Sequence, residues 1–229
     1  MKQSPAKIFL ADQHQFSFDI IEAVNDDILD GGCSKTLSIE QSSWLILIPV
    51  VGAIRCKDSR GNDNLLAAGQ WQLCKMQPGE KIEIHNPFKD VVVNTLQVWI
   101  KGDERLLLSL PLLHTYDVNG SMSRLIQLSP EKFEEENLPF ILSIGKFHGR
   151  RDTTYNLGDK SASLFLFVIE GAFEAEGRLL HARDGLALWD TKQVELEALS
   201  NDAIIVAIEL FPHSNSLREL HYNNDYLQH

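Results

Sequence analysis

The sequence is short of cysteine, of clustered positive charge and of long hydrophobic runs, and each shortage removes a class of protein. Its three cysteines, Cys33, Cys56 and Cys74, form no CxxC pair and no finger spacing. That excludes a disulfide framework and a zinc finger, fits a compartment that keeps thiols reduced, and leaves the cysteines as buried small residues. Lys and Arg number 21 against 32 Asp and Glu, a formal net charge of −11. The single Arg150-Arg151 pair has acids nearby, so direct nucleic-acid binding and adhesion to an anionic membrane are both excluded. The longest apolar stretch, Trp44 to Ile54, has eleven residues and is interrupted by Pro49, where a membrane helix needs about 20. Near the N-terminus the apolar run Ile8-Phe9-Leu10 soon meets Asp12, so no export signal is expected and a cytoplasmic location is. No Gly-x-Ser-x-Gly, P-loop or dinucleotide fingerprint occurs, which leaves hydrolase, nucleotide-dependent and dehydrogenase chemistries without a motif.

What is present reads as β-structure. A hydrophobic share of 44% supplies a core, and short β-type runs recur between turn residues. Trp44-Leu45-Ile46-Leu47-Ile48 is continuously apolar, the pattern of a strand buried on both faces. Ala53 to Lys57 partly alternates, Asp58-Ser59-Arg60-Gly61-Asn62 supplies a hairpin turn, and Val91 to Ile100 gives another strand. Ser163-Leu164-Phe165-Leu166-Phe167-Val168-Ile169 repeats the first run and leads into Glu170-Gly171-Ala172-Phe173, as the first leads into Val51-Gly52-Ala53-Ile54. Each copy reaches a second turn glycine, Gly69 after 17 residues and Gly185 after 14. Val194 to Ala198 alternates strictly, and Ala203 to Ile208 closes the second copy before Pro212. The duplication predicts an all-β fold of two tandem antiparallel β-barrels. Between them Ser129 as cap, Pro130 and the following acids predict a short linker helix over 129–137. The expected domains are residues 1–128, the linker 129–137, residues 138–212 and a polar tail over 213–229, to which no chemistry is assigned.

Several segments resemble the pirin family of bicupins. His14-Gln15-Phe16-Ser17-Phe18 is similar to the family's N-terminal His-x-Phe-Ser-Phe, and Val24-Asn25-Asp26-Asp27 to its Leu-Asn-Asp-Asp. The hairpin Lys57 to Asn62 with Ala68-Gly69, Gln77-Pro78-Gly79, and Leu96-Gln97-Val98-Trp99-Ile100 resemble later landmarks in register, and Asp184 to Asp190 fits a degenerate C-terminal cupin. The resemblance implies two cupin-type jelly rolls, the first of which, in metal-bearing members, holds an ion through three His and one Glu. Ungapped counting from Gly52 and from Asn25-Asp26-Asp27 places the family's His-x-His on Ser38 and Glu40, and the His-x-Glu falls on Ile82 and Ile84. No metal or other cofactor is expected from such a set. A one-residue slip at the second pair gives a rearranged set, Glu40, Glu83 and His85, but turns Ile82 and Ile84 outwards. His85 otherwise reads as an edge residue before Asn86-Pro87, and His148 and His181 as surface or turn histidines.

Two functions follow as expectations. One is a non-catalytic bicupin that binds a small molecule in the first barrel, with Ser38, Glu40, Ile82 and Ile84 as pocket residues, or a protein on its surface. The other, implied by the resemblance, is a metal-dependent oxygenase of the quercetin 2,3-dioxygenase type with a rearranged site.

Overall fold

The computed structural model describes residues 7–10, 18–102, 111–130, 132–133, 136–159 and 161–211. The chain divides into two compact units, Asp12–Asp117 and Met1–Ala11 with Val118–His229. Among the described residues all regular structure is strand. The motif from His14 to Ser17 and the tail from residue 213 lie outside the described residues.

The chain begins with β1 (Lys7–Leu10), which belongs to the second unit. The first unit holds β2 (Ile21–Leu29), β3 (Ser34–Ser38), β4 (Ser43–Val51), β5 (Ala53–Asp58), β6 (Asp63–Ala67), β7 (Gln70–Met76), β8 (Lys81–His85), β9 (Val93–Lys101) and β10 (Leu112–Thr115). They form a five-stranded sheet in the order β10-β7-β4-β9-β2 and a four-stranded sheet in the order β3-β8-β5-β6, antiparallel throughout. From Ser43 to Pro49 β4 is buried on both faces, as the apolar run Trp44 to Ile48 requires, and it lies third of five in its sheet with a partner strand on each side. In β8 burial alternates instead, with Ile82 and Ile84 inside and Lys81 and Glu83 exposed. Together with Leu45, Leu47, Ile54, Leu66, Val93 and others, these isoleucines form one core.

The second unit repeats this plan with β11 (Arg124–Gln127), β12 (Lys132–Phe133), β13 (Glu136–Asn137), β14 (Phe140–Phe147), β15 (Arg151–Asn156), β16 (Ser163–Glu170), β17 (Ala172–Ala175), β18 (Arg178–His181), β19 (Asp184–Leu188), β20 (Gln193–Ala198) and β21 (Ala203–Leu210). One sheet runs β1-β19-β16-β21-β14-β11 and the other β15-β20-β17-β18, so β4, β5, β7 and β9 correspond to β16, β17, β19 and β21. The duplicated glycines occupy equivalent turns: Gly52 at φ 79° and Gly171 at φ 78° each join a buried strand of one sheet to the next strand, which lies in the other sheet of its unit. A Cβ on Gly52 falls 2.8 Å from Val93 Cγ1 and one on Gly171 falls 2.4 Å from Ser200 Oγ, so both backbone angle and space require glycine.

Three expectations are corrected. Gly185 is not the second turn glycine of its copy: it lies within β19, where a Cβ would press on the Phe165 ring at 3.0 Å, and Arg183 takes the left-handed turn position at φ 76°. The linker helix is replaced by pairing of Lys132–Phe133 with Glu136–Asn137. Its expected cap, Ser129, is buried and accepts the Leu142 N–H on Oγ at 2.9 Å, so the hydroxyl serves β14 rather than a helix end. The unit boundaries shift as well, because Lys7–Leu10 pairs with Asp184–Ala187 and Arg124–Gln127 pairs with β14, which places both segments in the second unit.

Candidate ligand site in the first barrel

Alternation along β9 places Val93, Thr95, Gln97 and Trp99 on one face, and because Val93 and Trp99 belong to the core, Thr95 and Gln97 face the interior too. The register sets Gln97 beside Leu47 of β4 and Asn25 of β2, and Thr95 beside Asp27. Gln97 donates from Nε2 to Asp27 Oδ2 at 2.6 Å. Lys35, which lies on β3 in the opposite sheet across from Ile84, donates from Nζ to the same carboxylate oxygen at 2.5 Å. Asp27 therefore ties the two sheets together at one edge of the barrel. Near the other edge Gln72 donates to Cys74 Sγ at 3.0 Å, and Asn64 reaches Gln72 Oε1 at 3.5 Å.

The side chains of Lys35 and Asp27 are 41% and 22% exposed, whereas Thr95 and Gln97 are each 1% exposed. The ion pair is thus a rim and the two neutral residues lie beneath it. Thr95 Oγ1 and Gln97 Oε1 have no hydrogen-bond partner in the protein. Leaving such atoms buried and unpaired costs about 1–3 kcal/mol each. Cys56 and Cys74 face the same interior; burial pushes the Cys74 thiol up to about 12 and raises Cys56 too, with Cys74 as its next influence. Both stay protonated and are poor nucleophiles or metal ligands at neutral pH.

The four residues expected to line the pocket do not converge. Ile82 and Ile84 are 1% and 0% exposed, as their positions on the barrel wall predict, but Ser38 and Glu40 are exposed. Lys35 pairs with Ile84 and Leu37 with Ile82, and Leu37 and Ile39 pack on the core; Ser38 and Glu40 alternate with them and turn outwards. Ungapped counting missed this register by one. The rearranged set does not form inside either: Glu83 is exposed, and His85 lies on the same outer face of β8 with Nδ1 3.0 Å from Ser34 Oγ. Among the described residues no group of three or more His, Cys, Asp or Glu gathers to hold a metal ion. His148 and His181 are exposed. Thr95 and Gln97 were findable from sequence as polar residues two apart in a run otherwise fit for a doubly buried strand.

Two tandem units, each a jelly roll of two antiparallel sheets with one repeated strand order, define a bicupin. Residues 140–210 match the quercetinase C-terminal cupin domain. Over 198 residues the chain is 19% identical to a quercetin 2,3-dioxygenase of Escherichia coli K12, covering 85% of this chain and 84% of that protein. In structure it is similar to the bacterial pirin YhhW of Escherichia coli in complex with nickel(II), with a TM-score of 0.73 and 17% identity over 91% of this chain and 92% of that one. It is likewise similar to YhaK of Escherichia coli, with a TM-score of 0.73 and 18% identity over 91% and 93% of the two chains. The chain therefore shares the two-cupin fold of the bacterial pirin YhhW. No helix among its described residues is long and apolar enough to cross a membrane.

Proposed function

We propose that this chain is a binding protein whose first barrel takes a small organic molecule through hydrogen bonds and apolar contact, without a metal ion. The observation that carries this reading is the pair of buried, unpartnered polar atoms, Thr95 Oγ1 and Gln97 Oε1, beneath a partly exposed rim. Interior polar groups that find no partner in a folded chain point to a guest.

The residues present do not suit the metal of metal-bearing relatives. A non-haem site needs about three converging His or carboxylate donors, but the wall positions Ile82 and Ile84 have no lone pairs and are packed into the core. Asp27, the carboxylate that joins the interior hydrogen bonds, already accepts from Lys35 and Gln97. Sequence identity of 19% to a quercetin 2,3-dioxygenase carries fold but not activity.

Dioxygen uptake is the test. With quercetin and added iron, copper, nickel or zinc, uptake is expected to match a metal-stripped control. Quercetin-dependent uptake above that control, lost when the protein is stripped of metal, favours the oxygenase alternative and overturns the binding reading.

A further inference from the structure

We infer that the interior of the first barrel selects a neutral molecule with a hydroxyl or N–H edge on an apolar body, recognised by Gln97 Oε1 and Thr95 Oγ1; this rests on the small-molecule reading above. A carboxylate accepts and does not donate, so Asp27 takes the amide NH2 of Gln97 and forces its carbonyl oxygen to the other side. What Gln97 leaves open is an acceptor. Thr95 adds a hydroxyl that can give and receive.

Charge narrows the class further. Asp27 and Lys35 neutralise each other at 2.5 Å, so the site carries no net charge. An ionic guest gives up its hydration on entry and meets no uncommitted countercharge beneath the rim. A neutral guest without a donor loses differently, because it covers Gln97 Oε1 and leaves it unpaired; sites built to bond a hydroxyl reject such analogues strongly. A guest hydroxyl satisfies both atoms. Its body meets Leu47, which stands beside Gln97 in the register, and Val93 and Ile84 of the same core. The partly exposed Lys35 and Asp27 mark the side from which it enters.

Four six-membered rings of similar size separate the possibilities: trans-cyclohexane-1,2-diol, its dimethyl ether, cyclohexanecarboxylate and cyclohexylammonium. Each is titrated at millimolar concentration into the full chain with labelled Ile, Leu and Val methyls. The diol is expected to shift the Leu47, Ile84 and Val93 methyls, and the ether to bind about tenfold more weakly or worse. Gln97→Leu and Thr95→Val are each expected to weaken the diol about tenfold while the remaining methyl spectrum stays dispersed, and the two variants guard against one failing to fold. Preference for either charged probe overturns the class while leaving a small-molecule site in place. Equal binding of diol and ether, or diol binding untouched in both variants, overturns the recognition atoms. Silence from all four probes overturns the inference with Thr95 and Gln97 served by water alone; failure of the binding reading itself shows separately, as quercetin-dependent dioxygen uptake.

Discussion

Gln97 and Asp27 meet at 2.6 Å inside the first barrel, and Lys35 reaches the same carboxylate oxygen from the opposite sheet. One oxygen therefore orients the amide of β9 and joins β2 to β3. The candidate site depends on that junction more than on any residue of the β8 wall.

Asp27→Asn is expected to cost about 1–3 kcal/mol of unfolding free energy, because it leaves the buried Gln97 amide and the Lys35 ammonium competing for one neutral oxygen. Lys35→Met is expected to cost less, under about 1 kcal/mol, since the lysine is partly exposed and its ion pair is weakened by water. Urea denaturation of both variants checks the order. Equal costs, or a larger one for Lys35→Met, contradict it.

Thr95→Val replaces an unpartnered buried hydroxyl with a methyl of nearly the same shape. Removing an unpaired polar group is expected to raise stability by about 1 kcal/mol, although it weakens binding. Thermal unfolding of the ligand-free protein reads this directly. A loss of stability means that Thr95 Oγ1 has a partner in the folded chain.

The three cysteines differ in access. Cys33 is exposed, whereas Cys56 and Cys74 are buried with thiols raised above their usual range. A neutral thiol reagent is expected to label only Cys33 in the native protein and all three after denaturation. Rapid native labelling of Cys56 or Cys74 argues against a closed core at β5 and β7.

The same thiols predict the alkaline limb of stability. Cys74 is raised from 9.0 to about 12 by burial, and Cys56 is raised too. Above pH 9 the unfolded chain therefore holds fewer protons than the folded one, so this contribution is complete below 9 and is lost as pH rises towards 12, at about 1.4 kcal/mol per pH unit for each thiol. Tyr116, raised from 10.0 to about 12 by burial, adds to the slope above pH 10. Denaturation between pH 9 and 10 weights the thiols over the buried tyrosines, and Cys74→Ala is expected to remove about a third of the slope there. An unchanged slope in the variant shows that Cys74 ionises in the folded state as it does in the unfolded one.

The sequence made the architecture readable wherever burial dictated composition. Trp44 to Ile48 and Leu164 to Ile169 are apolar at every position because both faces of β4 and β16 are covered, and Val194 to Ala198 alternates because one face of β20 is not. The linker was misread because Ser129 and Pro130 are local signals, while the Ser129 hydroxyl is claimed by Leu142, thirteen residues away. The site was half legible. Ile82 and Ile84 follow from the spacing to Gln77-Pro78-Gly79, but one residue of register at β3 exchanges Leu37 and Ile39 for Ser38 and Glu40. Asp27 and Gln97 lie in segments that resemble family landmarks, and only the pairing across β2 and β9 brings them diagonally opposite each other, Asp27 across from Thr95 and Gln97 across from Asn25.

The central claim is that hydrogen bonds, and not metal coordination, organise the interior of the first barrel. Elemental analysis of the full chain after incubation with iron, copper, nickel or zinc and removal of loosely held ions tests it most directly. The account predicts far less than one equivalent of any metal, unchanged in Asp27→Asn and in Glu40→Ala. One retained equivalent per chain, lost in either variant, contradicts it.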